Sequence, residues 1–396
     1  MPLHLPRCWT AVLPAKANAA GFGLYVHWPF CQSKCPYCDF NSHVSATIDQ
    51  DDWIRAYSSE IARLSKEIGG RRLSSIYFGG GTPSLMEPRL VERIIADAQR
   101  AWKFENDIEI TLEANPSSVE TDRLRGYQLA GVNRVSLGVQ ALNDTDLRAL
   151  GRLHSVEEAV RAVEKTASLY ERYSFDLIYA RQNQTLEEWR SELGLALEMG
   201  ADHMSLYQLT IEPGTAFGDR FDAGKLKGLP VEDLAADMFE MTQEMTISAG
   251  LEPYEVSNHA RDGHLSRHNL LYWTGGDYAG IGPGAHGRLT IGEHRFATET
   301  PLSPAVWLQN AMDGNAEAPR RRLSKQDQAG EALMMGLRTN FGVDLERVAS
   351  LQDAEFDIKI NNLEEIGMVV RTGTHLIATP AGRPLLNEIL RQLLVV

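Results

Sequence analysis

The sequence predicts an α/β fold: an open, partial (β/α)6 barrel of parallel strands followed by a smaller mixed, winged-helix-like domain. Three observations predict it. From Gly21 to about Gly250, short apolar, β-branched runs alternate with longer amphipathic stretches. The short runs are continuously apolar, as strands buried on both faces must be. The chemically unusual residues follow the carboxyl ends of those runs, the face at which parallel α/β barrels carry their sites.

In order, the expected strands are Leu24 to His27, Ser75 to Phe78, Ile108 to Leu112, Arg134 to Val139, Ser174 to Tyr179 and His203 to Leu209. Helix-period segments such as Thr121 to Ala130 and Leu186 to Met199 separate them. Six units leave a gap that eight would close, and the C-terminal third is expected to cover it. Residues 1–20 read as an extension punctuated by Pro2, Pro6 and Pro14, residues 21–250 as the barrel, and residues 251–396 as the second domain. That domain opens with a Gly-rich stretch, Tyr272 through Gly287. Helical segments follow around Asp327 to Thr339 and Glu355 to Ile366. A hairpin from Met368 to Ala378 turns at Thr372-Gly373-Thr374, and a last helix runs from Pro380.

A chain of 396 residues has length for about two domains, and no apolar run approaches the ~20 residues of a membrane span. A net charge of −14 disfavours a nucleic-acid partner, because binding phosphates depends on Lys and Arg releasing counterions. Arg320-Arg321-Arg322 reads as a solvated loop before a helix. Four cysteines do not make a secreted disulfide framework. Nothing near the start argues against a reducing cytoplasm as the compartment, since no basic segment leads into an apolar stretch.

Three of those cysteines stand together in Cys31-Gln-Ser-Lys-Cys35-Pro-Tyr-Cys38, and Cys8 reads as an incidental thiol. A CxxxCxxC loop suits three irons of a 4Fe-4S cluster and leaves the fourth without a protein ligand. Structural zinc would need a fourth donor, from His27 or His43, and more often uses two separated pairs. Gly79-Gly80-Gly81 after the second strand lets backbone approach a ligand. Glu113, ending an otherwise apolar strand, must meet a cation or hydrogen-bond donors, because an unpaired buried charge is costly.

The cysteine loop and its flanks resemble the radical S-adenosylmethionine (SAM) superfamily. Longer strings are similar to the oxygen-independent coproporphyrinogen III oxidase family: Tyr25-Val-His-Trp-Pro-Phe-Cys31, Ile76-Tyr-Phe-Gly-Gly-Gly-Thr-Pro83, Asn133-Arg-Val-Ser-Leu-Gly-Val-Gln140, Leu150-Gly-Arg-Leu-His154 and Phe175-Asp-Leu-Ile-Tyr179. The resemblance implies that Cys31, Cys35 and Cys38 hold the cluster, with Tyr25 and Tyr37 flanking its loop and Tyr37 near the adenine. It implies that Gly80, Gly81 and Thr82 hold the methionine end of SAM and that Glu113 faces its amino group. Arg152 would pair with the carboxylate, and Gln140 and Asp176 would hydrogen-bond the ribose.

Two features divide that family. The oxidases carry a further cysteine two positions after the third cluster ligand, where this chain has Phe40, and Ser266-Arg-His-Asn-Leu-Leu-Tyr-Trp273 resembles the HNxxYW segment of the HemW-type heme chaperones. The resemblance implies a heme chaperone, with His268 as heme ligand and an unidentified acceptor protein. The alternative is oxidative decarboxylation of coproporphyrinogen III. His27, His43, His154 and His264 read as structural or surface residues, His154 supporting Arg152. Relatives usually place a Gly-Leu-Pro-Gly turn after the fifth strand, whereas this chain has Ala180-Arg181-Gln182-Asn183, which is expected to alter the backbone there.

Overall fold

The computed structural model describes residues 21–45 and 47–394, so the expected N-terminal extension, with Cys8, lies outside the described residues. β1 (Phe22–Trp28) leads into a two-residue parallel pairing of β2 (Phe30–Cys31) with β3 (His43–Val44). Then come β4 (Arg72–Gly80), β5 (Lys103–Ala114), β6 (Arg134–Gln140), β7 (Arg172–Tyr179) and β8 (His203–Gln208). Strands β1, β4, β5, β6, β7 and β8 pair in that order and in parallel, so the six expected strands form the barrel core.

The sheet continues past residue 250 on both edges. On one side β8 pairs antiparallel with β10 (Asn258–Ala260), which pairs with β9 (Glu252–Pro253). On the other, β11 (Asp277–Ile281) runs parallel to β1 and carries β12 (His286–Ile291), β13 (His294–Glu299) and β14 (Arg321–Arg322). The Gly-rich stretch therefore supplies a seventh parallel strand.

Leu24, Val26, Ile76, Phe78, Leu112, Val135 and Phe175 are sealed from solvent between the strands and the outer helices. Each fully buried side chain of this kind contributes roughly 1.5–3 kcal/mol. An aromatic group ties the late chain to the early one. Trp307, in the helix Pro304–Met312, stacks on Trp53 at 5.4 Å and 7°, and Trp53 meets Trp28 edge-on at 5.4 Å.

A second core, from Ala329 to Leu393, surrounds a three-stranded sheet of β15 (Val343–Asp344), β17 (His375–Ala378) and β16 (Val369–Thr372). The expected hairpin is present, with its turn at Gly373 in the left-handed region. The last helix starts at Leu386 and not at Pro380, because Thr379 accepts the amides of Gly382 and Arg383 in a turn that precedes it. Arg338 joins this unit to the barrel edge through Glu255, and Asn340 donates to the Tyr254 carbonyl at 3.2 Å. Among the described residues, no helix is long and apolar enough to cross a membrane.

Candidate functional site

At the carboxyl ends of the strands the barrel opens into a cavity of about 450 Å³. The cysteine loop forms one wall. Cys38 N–H donates to the Cys35 carbonyl at 3.2 Å, and the Phe217 amide donates to the Pro36 carbonyl at 2.8 Å. Gly151, at φ 70°, leaves room for the Pro36 ring, which a Cβ would meet at 2.7 Å. All three thiols are free and partly accessible. Thr82 Oγ1 lies 3.4 Å from Cys31 Sγ, and Arg152 Nη1 lies 3.6 Å from Cys35 Sγ.

Burial pushes the Cys31 thiol up and the Cys38 thiol to about 11, the neighbouring thiols adding to both. Holding iron would require these thiols to give up their protons. Among the described residues no three His, Cys, Asp or Glu side chains converge on one metal ion. A cluster puts a separate iron under each thiolate, so three accessible thiols on one short loop beside a guanidinium fit it.

Glycines 79 to 81 serve packing as well as access. A Cβ at Gly79 would meet the rings of Tyr25 and Tyr77 at 3.0 Å, one at Gly80 the His27 ring at 2.6 Å, and one at Gly81 the Phe30 carbonyl at 2.7 Å. Gly80 also stands at φ 109°, in a region L side chains rarely enter.

Two carboxylates face the cavity. Glu113 accepts from Tyr77 Oη at 2.7 Å, and desolvation, with Asp176 nearby, pushes it up to about 7. Desolvation pushes Asp176 up to about 6, against hydrogen bonds from Ser205 and Ser136. Two desolvated acids on one cavity favour a ligand that brings positive charge or hydrogen-bond donors. Gln140 projects from a break in the β6–β7 register at φ 72°, a strained conformation for a residue with a Cβ.

Cys31, Cys35, Tyr37, Cys38, Gly80, Gly81, Thr82, Glu113, Gln140, Arg152 and Asp176 all line this cavity. Tyr25 and His268 do not. Tyr25 lies beneath the floor, its hydroxyl 3.0 Å from His27 Nδ1 and its ring stacked on Tyr77 at 6.4 Å.

His268 lies away from the cavity lining as well. It is fully buried below the sheet, with Nδ1 2.8 Å from Ser75 Oγ and Nε2 2.6 Å from the Tyr272 hydroxyl, and its ring stacks on Tyr77 at 5.0 Å. Desolvation pushes it down to about 3. Glu109 fixes the helix Arg267–Trp273 there by accepting the amides of Arg267 and His268 at 3.0 and 3.2 Å while paired with Arg172 at 2.8 Å. Both ring nitrogens are engaged, Nδ1 with Ser75 and Nε2 with Tyr272.

Asn115 was not singled out as a site residue. Its side chain accepts from Arg152 and donates to Thr82 Oγ1 at 3.3 Å, bridging the two residues nearest the thiols. The Asn-Pro step ending β5 was its only local signal. His154 holds the Val139 carbonyl at 3.0 Å and is pushed down to about 4 by burial and by Arg152, which fits its supporting role.

The sequence pattern of the radical SAM superfamily matches residues 25–196, and that of the HemN C-terminal domain matches residues 323–385. The chain is 36% identical to the heme chaperone HemW of Haemophilus influenzae, over 93% of this chain and 96% of that protein. It is 40% identical to the mitochondrial radical S-adenosyl methionine domain-containing protein 1 of Bos taurus, over 83% of this chain and 75% of that protein. The structure of HemN, a coproporphyrinogen III oxidase from Escherichia coli, superposes with a TM-score of 0.79 at 23% identity, covering 96% of this chain and 92% of that one, which establishes the shared fold. With a 4Fe-4S cluster and SAM as the cofactors its family implies, this chain belongs to the radical SAM superfamily and, within it, to the family of the HemW heme chaperones.

Proposed function

We propose that the protein is a heme chaperone: it binds heme and passes it to an acceptor protein, while its barrel holds a 4Fe-4S cluster and SAM. The likeness to HemW at 36% identity over nearly the full length of both chains carries this reading. Phe40 supports it. Where the resembling oxidases have a further cysteine, this chain sets an apolar ring, 57% exposed, on the rim of the cavity.

In this proposal Cys31, Cys35 and Cys38 ligate the cluster, and Gly80, Gly81, Thr82, Glu113, Gln140, Arg152 and Asp176 hold SAM. Tyr37 closes over the loop and Tyr25 supports the floor. The cluster, when bound, supplies an open iron for the amino and carboxylate groups of SAM. The chain's own part is to place Glu113 toward the amino group, Gln140 and Asp176 toward the ribose, and a guanidinium beside the thiolates. A cytoplasmic setting agrees with thiols that must stay reduced, and the net charge of −14 disfavours a nucleic-acid partner.

The test is an anaerobic pair of measurements on the reconstituted protein. Hemin titration is expected to give a saturable Soret shift, and incubation with reductant, SAM and coproporphyrinogen III is expected to leave the porphyrinogen unchanged. Accumulation of protoporphyrinogen with 5′-deoxyadenosine would overturn the proposal in favour of the oxidase.

A further inference from the structure

Two of the cluster-loop sulfurs meet side-chain donors from outside the loop. Thr82 Oγ1 lies 3.4 Å from Cys31 Sγ, and Arg152 Nη1 lies 3.6 Å from Cys35 Sγ. Asn115 joins these two donors. Its Oδ1 accepts from Arg152 Nη2, and its Nδ2 donates to Thr82 Oγ1 at 3.3 Å and to Glu120 Oε1 at 3.5 Å.

These partners fix which way the amide faces. Turned over, Asn115 would set its oxygen against the Glu120 carboxylate and its N–H groups against the guanidinium, two repulsive pairings. Because Nδ2 donates to the Thr82 oxygen, the hydroxyl proton of Thr82 is left to point at Cys31 Sγ. On the other side Arg152 Nη2 is shared between Asn115 Oδ1 and the Gly138 carbonyl, 2.9 Å from the latter, which turns Nη1 toward Cys35. A Cβ at Gly138 would meet Arg152 Nη2 at 3.3 Å, so the glycine leaves the guanidinium its room. Arg152 Nε is buried and has no hydrogen-bond partner among the described residues, which leaves that edge of the guanidinium for the SAM carboxylate.

Asn115 is itself held. Its backbone amide donates to Glu120 Oε2 at 3.0 Å and to Ser84 Oγ at 3.3 Å. Glu120, 1% exposed, also accepts from Ser84 and from Ser117 Oγ at 3.1 Å. A buried carboxylate is costly unless its lone pairs are filled, and here the loop that carries Asn115 helps to fill them.

Hydrogen bonds to the sulfurs of an iron-sulfur cluster tune its reduction potential. Donors draw charge from the thiolates and so favour the more negative, reduced form. We propose that Asn115 is a positioning residue for the cluster: by turning Thr82 toward Cys31 and Arg152 toward Cys35, it raises the potential at which the bound cluster takes up its electron. The inference rests on the cluster assigned to Cys31, Cys35 and Cys38 and not on heme transfer.

The experiment is a potentiometric titration of the full-length, anaerobically reconstituted protein without SAM. It is followed by electron paramagnetic resonance of the reduced cluster, with iron and sulfide content measured for each variant. Asn115→Ala is expected to lower the midpoint, so that the reduced-to-oxidised ratio at the wild-type midpoint falls at least tenfold, a shift of about 59 mV for one electron. Thr82→Val, which deletes one donor, is expected to shift it the same way by less, and Thr82→Ser, which keeps the hydroxyl, to retain the wild-type value. A merely structural role would lower cluster content without moving the midpoint of the cluster that remains. A wild-type midpoint in Asn115→Ala would overturn the proposal. Should that variant take up no cluster, Asn115→Asp decides, since a carboxylate still accepts from Arg152 but cannot donate to Thr82. Its midpoint is expected to be at least as low as that of Thr82→Val, and a wild-type value would overturn the proposal. No cluster signal in the wild type would overturn the cluster assignment and this inference with it.

Discussion

Single residues show where local sequence decides and where distant contacts do. The loop after β7 lacks the glycines of its relatives, yet Ala180 and Asn183 both occupy the left-handed region, at φ 57° and 58°. The turn is held from outside: Arg181 is buried against Glu192 at 2.5 Å and Asp146 at 2.8 Å, and Asn183 N–H donates to the Gly228 carbonyl at 2.6 Å. Strain at a residue with a Cβ costs ~1–2 kcal/mol, partly offset by the greater unfolded-state freedom of glycine. Ala180→Gly should therefore raise stability by about 0.5–1 kcal/mol in a urea titration, and a loss of stability would show the strain to be absent. The cysteine loop, Gly80, Gly81, Thr82 and Glu113 were legible because the partners that give them meaning are close in sequence or end the same kind of strand. His268 was not, because Ser75, Tyr77 and Glu109, which bury it, come from other strands.

Elements were legible where their periodicity was undisturbed. All six barrel strands follow apolar runs, and the helices Val156–Leu169 and Leu186–Glu198 begin at capping boxes, Ser155 with Glu158 and Thr185 with Glu188. β11 was hidden because its glycines suggest a loop. Gly280 is required there, since a Cβ would strike the His286 carbonyl as the chain turns into β12. The helix Pro304–Met312 gave little signal of its role, which depends on Trp307 reaching Trp53. Deleting that fully buried ring should cost about 3–5 kcal/mol by the usual penalty for truncating a core aromatic. Trp307→Ala is thus expected to lower the chemical-denaturation midpoint steeply and Trp307→Phe to lower it less. A change below about 1 kcal/mol in the alanine variant would show that the stack does not hold this helix to the barrel.

At the scale of the whole molecule, the cavity imposes a cost on the ligand-free protein. Glu113 is held at about 7 against an ordinary value of 4.5. The folded chain therefore binds more protons than the unfolded one between those values, and stability falls as pH rises through that window. Below pH 4.5 both states are protonated and the cost vanishes, while above 7 it is complete, at about 3 kcal/mol by 1.36 kcal/mol per unit. Glu113→Gln should stabilise the cluster-free, SAM-free protein at pH 8 by that order and leave it unchanged near pH 4.5, as measured by thermal denaturation in matched buffers. An equal gain at both pH values would show that ionisation of Glu113 is not the cause.

Strand order also sets the timetable of biosynthesis. β1 is flanked by β4 on one side and by β11 on the other, with Phe22 opposite Asp277. The strand that launches the cysteine loop emerges early from the ribosome but acquires its second neighbour only after some 250 further residues have been translated, roughly 10–50 s later at ~5–20 residues per second. During that interval the nascent thiols hang from a half-made sheet edge, open to oxidation and to stray metals. Expression that outpaces the cellular supply of iron and sulfide should yield a folded but colourless product.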